Sequence, residues 1–187
     1  MLNLKLFYIL ALPLLLIDVV QSPKPADVYA AVLEQGFHGG SRRSLGVRDT
    51  TTTMPTLKDA SAEWLKRFQG VPAELLSRAS KPRATKEHPL NPGDLPPGTI
   101  LVPRSVVDGI FKGTRQQENW AEYRRQFAEG GWIVFSDVMF TEDGHDALVY
   151  YAVHCGGLCA EGGYMWLHRD SAQMQWRVAK RIVRWVS

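Results

Sequence analysis

Cys155 and Cys159, with Gly156, Gly157 and Leu158 between them, constrain this chain more than any other feature. They fall between the apolar run 147–153 and the aromatic run 164–168, where a turn joins two neighbouring C-terminal strands. In an oxidising compartment two nearby thiols pair, and the glycines let so short a loop take backbone angles that other residues resist. A disulfide here closes a short ring, so its stabilisation is expected at the lower end, ~2 kcal/mol. Three other uses of the pair stand beside that one. Redox catalysis favours CxxC preceded by a thioredoxin-like βαβ pattern, and this is CxxxC without one. Zinc would need His154 or His168, yet His154 and Cys155 point to opposite faces of a strand. A c-type haem needs histidine directly after the second cysteine, where Ala160 stands. No cofactor and no metal are therefore expected.

The disulfide reading depends on compartment, and the N-terminus speaks to that. Lys5 precedes the apolar run 6–17, which Asp18 interrupts. The run is shorter than the roughly 20 residues of a membrane-spanning helix but suits the core of a secretory signal. Residues 1–22 are read as a signal peptide, or as an anchor if they are not removed. Residues 23–187 are read as a single α+β domain, periplasmic or extracellular, touching a membrane only if that segment is retained. The net charge of +3 is too small to suggest a nucleic-acid partner. At 45% hydrophobic and 22% charged residues the chain has the composition of a globular protein.

Patterning along the chain predicts helices first and strands later. Residues 26–35 carry Val28, Ala31 and Val32 at helical spacing and stop at Gly36. Residues 44–54 are threonine-rich and β-branched, which favours a strand. Thr56 can cap a helix running to Phe68, and Pro72 can start another. Five prolines in 81–98 mark a surface connection. A short strand at 99–102 and a helical turn at 105–111 precede an amphipathic helix over 116–128, stopped by Gly130 and Gly131. Strands are then expected at 132–140, 147–155, 164–168 and 175–186. Asp143-Gly144 is a hairpin signal between the first two, and residues 155–163 are read as a loop between the next two. The expected fold is α+β: N-terminal helices followed by a curved antiparallel β-meander of about four strands. Residues 147–153 are apolar at every position, so both faces of their sheet should be covered, by helices, a curled sheet, a partner or a ligand.

The run ALVYYAVHCGGLCAEGGYMWLHR at 147–169, flanked by FSDVMF and QWRVAKRIVRWVS, resembles the C-terminal part of a group of exported bacterial proteins. The helix WAEYRRQF matches its position there, and the likeness fades before Pro82. The resemblance implies export and a β-meander. It implies no activity, because the group has none established, and it supplies no catalytic residues. Where the group commonly has SRVGFN, this chain has SDVMFTEDG, so a role tied to that arginine does not transfer.

No complete catalytic signature is present: no GxSxG, SxxK, HExxH or phosphate-binding glycine loop. Glu142, Asp143 and Asp146 lack calcium-loop spacing and read as a solvated turn. His38 and His88 read as surface residues. Asp137, Tyr150, His154, Tyr164 and His168 are the residues to inspect for a pocket, with His154 and Tyr150 on one strand face. Arg177, Lys180, Arg181 and Arg184 interleave with aromatics, as at anionic surfaces, although cations also guard solvated strand edges. The favoured function is a non-enzymatic binding or cell-envelope interaction module, using a concave sheet surface to hold a protein or small ligand. A small enzyme with a dispersed-residue pocket and a thiol–disulfide redox protein are the alternatives.

Overall fold

The computed structural model describes residues 22–37, 45–58, 60–82, 87–113, 115–170 and 172–187. In order they form α1 (Pro25–Gln35), β1 (Gly46–Arg48), α2 (Ala62–Leu65) running into a 3-10 turn (Lys66–Phe68), and α3 (Ala73–Ala79). There follow β2 (Leu101–Val102), α4 (Arg104–Ile110), α5 (Gln116–Gln126), β3 (Trp132–Phe135), β4 (Met139–Phe140), β5 (Asp146–Gly156), β6 (Cys159–Arg169) and β7 (Trp176–Val186). The fold is α+β. The strands make one seven-stranded sheet in the order β2-β1-β3-β5-β6-β7, with β4 beside β5. The antiparallel meander of β3, β5, β6 and β7 is as the sequence suggests, but β1 pairs parallel with both β2 and β3 and makes the sheet mixed.

Both sheet faces are covered by the chain itself, and β5 shows how. Ala147, Val149, Tyr151 and Val153 face one way, into a core with Val28, Tyr29, Ala31 and Val32 of α1 and with Leu90 and Leu95. Leu148, Tyr150 and Ala152 face the other way, into a core with Phe68, Leu75 and Ala79. On this second face Val102, Val107, Trp120, Tyr123 and Trp132 form a third cluster. A strand apolar on both faces thus reports a sheet buried on both faces. The concave sheet surface expected to hold a ligand is occupied by the chain's own helices.

Several elements differ from the sequence reading for identifiable reasons. Between 44 and 54 only Gly46–Arg48 is regular strand; Thr50 and Thr52 make single bridges, to Pro89 and Ser136. Thr56 Oγ1 accepts from the Lys58 amide and donates to the Ala79 carbonyl, so it holds a turn. The helix begins later, capped by Ser61 Oγ on the Trp64 amide. In the proline-rich stretch Leu90 and Leu95 are buried, which ties that connection onto the α1 face. The expected strand 132–140 divides at Ser136, whose Oγ takes the Tyr150 amide and whose carbonyl takes the Tyr29 hydroxyl. Asp143-Gly144 does turn the β4–β5 hairpin, with Gly144 at φ 71°.

Residues 155–163, expected as a loop, are mostly strand. Only Gly157 and Leu158 form the turn, and β6 starts at Cys159. Gly162 and Gly163 lie inside the strand because β7 crosses too close for a side chain. A β-carbon on Gly162 would stand 2.4 Å from Trp185 Nε1, and one on Gly163 2.2 Å from the Ile182 carbonyl oxygen.

Candidate functional site

Cys155 and Cys159 are joined in a disulfide, with their Cα atoms 5.1 Å apart. β5 and β6 are in register to His154↔Ala160 and resume at Gly156↔Cys159, so Cys155 is the extra residue of a bulge. The bond therefore ties the bulge to the strand opposite. Arg124 of α5 donates to the Cys155 carbonyl at 3.3 Å, and Ala160 exchanges two backbone hydrogen bonds with Ser187. On this braced end Leu158 is 93% exposed, and Val186 nearby is 73% exposed. An isolated exposed leucine is ordinary, but one held at the apex of a covalently closed two-residue turn has little freedom to retract. With both sulfurs bonded to each other the pair presents no thiolate. Among the described residues there is no free cysteine and no group of three or more His, Cys, Asp or Glu side chains placed to hold a metal.

Tyr150, His154 and Tyr164 share the face opposite α1, in one continuous aromatic ribbon. Trp120 stacks on Trp132 with ring centres 4.9 Å apart, and Trp132 stacks on His154 at 5.1 Å. His154 lies 6.3 Å from Trp185, whose Nε1 donates to the Tyr150 hydroxyl at 3.0 Å. Tyr150 meets Tyr164 edge-on at 5.4 Å, and the Tyr164 hydroxyl donates to the Pro55 carbonyl at 2.6 Å. Register explains the placement: Trp132 is directly opposite His154, and Tyr164 directly opposite Tyr150. Burial among these rings lowers the His154 pKa, and the positive charge of Arg48 lowers it further. His154 is thus held neutral at pH 7, as a ring that stacks. Burial raises the Tyr164 hydroxyl to about 12, which keeps it a hydrogen-bond donor.

Asp137 and His168 lie elsewhere. His168 Nδ1 is 3.1 Å from Asp146 Oδ1, which also accepts from Trp166 Nε1 at 2.6 Å. Asp146 is at the far end of β5 from His154, about 26 Å away at ~3.3 Å per residue. Asp137, in the link between β3 and β4, places Oδ1 3.1 Å from His88 Nδ1, and Thr51 Oγ1 lies 3.3 Å from that same nitrogen. A hydroxyl–imidazole–carboxylate relay needs its two partners on different ring nitrogens. Here both crowd Nδ1, and Thr51, only 1% exposed, exchanges hydrogen bonds with the His88 backbone, which fastens the segment after residue 87 to the sheet. His38 lies outside the described residues.

Trp132, Trp185 and Arg48 are neighbours of His154 that no pattern in the sequence singles out. Pairing 132–135 antiparallel with 151–154 would have placed Trp132 beside it. Nothing local points to Arg48, which arrives on a parallel strand. No family model, curated protein or solved structure matches the chain.

Proposed function

We propose that this chain is an exported, non-enzymatic interaction module of the cell envelope that engages a partner protein through the disulfide-closed end of its sheet. The observation that carries the reading is Leu158, 93% exposed at the apex of a turn closed by Cys155–Cys159. A rigid apolar tip loses little conformational entropy when a recess closes over it, the general advantage of preorganisation. Three further points support the reading. The disulfide is compatible with an oxidising compartment. The apolar run 6–17 has the form of a secretory signal, although it falls outside the described residues. The separation of Asp137 and His168 from Tyr150, His154 and Tyr164 removes the convergence that a dispersed-residue enzyme would require.

The test places a photo-crosslinking amino acid at Leu158, and separately at exposed Gln173, in cells expressing the full chain. The expected result is a discrete adduct from position 158 and none from 173, with processing of the N-terminus seen by mass spectrometry. Equal labelling from both positions would overturn the docking role. A reduced, unprocessed cytosolic chain would overturn export.

A further inference from the structure

Away from the hairpin, α2 and its 3-10 turn lie over β7, and the contact gathers cations from two segments more than a hundred residues apart. Trp64 and Phe68 point inward, with ring centres 6.0 and 5.5 Å from Tyr164. Leu65 is turned outward and 39% exposed, beside Lys66 and Arg67. From below, Lys180 Nζ reaches the Gln69 carbonyl at 2.9 Å, and Arg67 reaches down to the Val183 carbonyl at 3.3 Å. Arg184 stands beside Tyr164.

Register brings Lys180 and Arg184 to this side. β6 and β7 pair Gly162↔Trp185 and then Gly163↔Val183, leaving Arg184 as a bulge residue, while Lys180 sits opposite Trp166. Arg181 is sent to the α1 face, where it bonds Tyr151 and Glu161. Among the described residues the four cations of the patch have one ion-pair partner, Glu63, 2.7 Å from Lys66. Neither Arg67, Lys180 nor Arg184 forms an ion pair with a described carboxylate. Among the described residues, the cations named on this face exceed their ion-paired carboxylate by three, equal to the +3 of the whole chain. On the α2 side of this face Ser61, Glu63, Trp64, Lys66 and Arg67 line a shallow depression of about 380 Å³.

We propose that this face docks on an anionic phospholipid surface, with Lys66, Arg67, Lys180 and Arg184 over the phosphates and Leu65 with the edge of Trp64 at the headgroup boundary. The patch joins cations to an exposed leucine and the partly exposed edge of a tryptophan, the residue types that settle at a lipid interface. A soluble polyanion would use the cations and gain nothing from Leu65, which is why a lipid surface is the better fit. Each cation near an anionic bilayer strengthens binding about fivefold. The proposal rests on the envelope reading only for its setting, and it uses a different face from Leu158.

The test is sedimentation of the full chain with vesicles of phosphatidylcholine alone and of phosphatidylcholine mixed with phosphatidylglycerol. The readout is the difference between the two, because an apolar leader would bind both. Expected is binding that requires phosphatidylglycerol, falls at high salt, and is lost in R67E/R184E. Lys66→Glu, whose side chain is 73% exposed and ion-paired with Glu63, should weaken it about tenfold or more without disturbing the fold, as circular dichroism would verify. Equal binding to both vesicles, or unchanged binding by K66E, overturns the proposal. Competition by soluble polyphosphate with Leu65→Asp binding as wild type would reassign the patch to a soluble polyanion. Leu158 crosslinking is scored independently, so failure here and failure of the envelope reading are separately visible.

Discussion

Gly131 passes so close to His154 that a β-carbon on it would stand 1.9 Å from the His154 carbonyl oxygen. The glycine is at φ 93°, and its own carbonyl receives the Gly46 amide at 2.9 Å and the Tyr123 hydroxyl at 3.0 Å. One residue therefore fastens α5, β1 and β5 at the point where the sheet changes from antiparallel to parallel pairing. Gly131→Ala introduces both the left-handed strain and a backbone clash, so it should destabilise the fold by more than ~2 kcal/mol in urea unfolding. A loss under ~0.5 kcal/mol would mean the two strands can separate freely there.

Replacing both cysteines, Cys155→Ser with Cys159→Ser, should cost ~2 kcal/mol, the small effect expected of a short ring. The change in amide exchange should be confined to residues near the turn, because β6 remains bonded to β7 on its other side. Faster exchange throughout β6 and β7 would show instead that the disulfide holds the whole meander.

Protonation of His154 should weaken the fold. Its folded pKa lies below the ordinary value of 6.5, chiefly from burial and then from Arg48. The unfolded chain takes up the proton first, so stability is fully present above pH 6.5 and falls as the pH drops through the folded pKa. His154→Gln should flatten that acid limb in thermal melts followed from pH 7 to pH 5, read against wild type. Identical slopes would place the acid sensitivity at other groups.

On the α1 face Tyr151 donates to Glu161 at 2.9 Å and accepts from Arg181 Nε at 2.9 Å, while Arg181 also pairs with Glu161. Burial lifts the Tyr151 hydroxyl to about 12, with Arg181 pulling the other way. A raised pKa means the contribution to stability is present below the unfolded value of about 10 and is lost as pH rises through the folded one. Arg181→Met should raise the Tyr151 transition further in an ultraviolet alkaline titration and cost about 1–3 kcal/mol, since a buried polar group loses its partner. An unmoved titration would show that the guanidinium does not act on the phenol.

Much of the C-terminal half was legible in the residues because its signals are local. Asp143-Gly144 forces a turn, the amphipathic spacing over 116–128 gives α5, which ends at Gln126 before the two glycines are reached, and apolar residues throughout 147–153 require a sheet covered on both sides. The two cysteines are legible as a clasp, and their disulfide forms. Their surroundings are not, because Gly162 and Gly163 look like loop punctuation until β7 crosses over them. Strand 44–54 shrank to three residues because its partners, β2 and β3, lie far away in sequence. The pocket candidates divided for the same reason: Tyr150, His154 and Tyr164 share a face through adjacent register, while Asp137 and His168 belong to other contacts.

By itself the sequence determined the α+β class, the C-terminal antiparallel meander, the tight turns and the covalent clasp, each set by residues within one turn or one strand of each other. Tertiary structure alone decided that parallel strands would widen the sheet and that Trp132 would lie on His154. It also decided that Lys66 and Arg67 would meet Lys180 and Arg184. A side chain's distant neighbours depend on strand register, and a single bulge, such as the one at Arg184, changes where a residue points without leaving a mark in the local sequence.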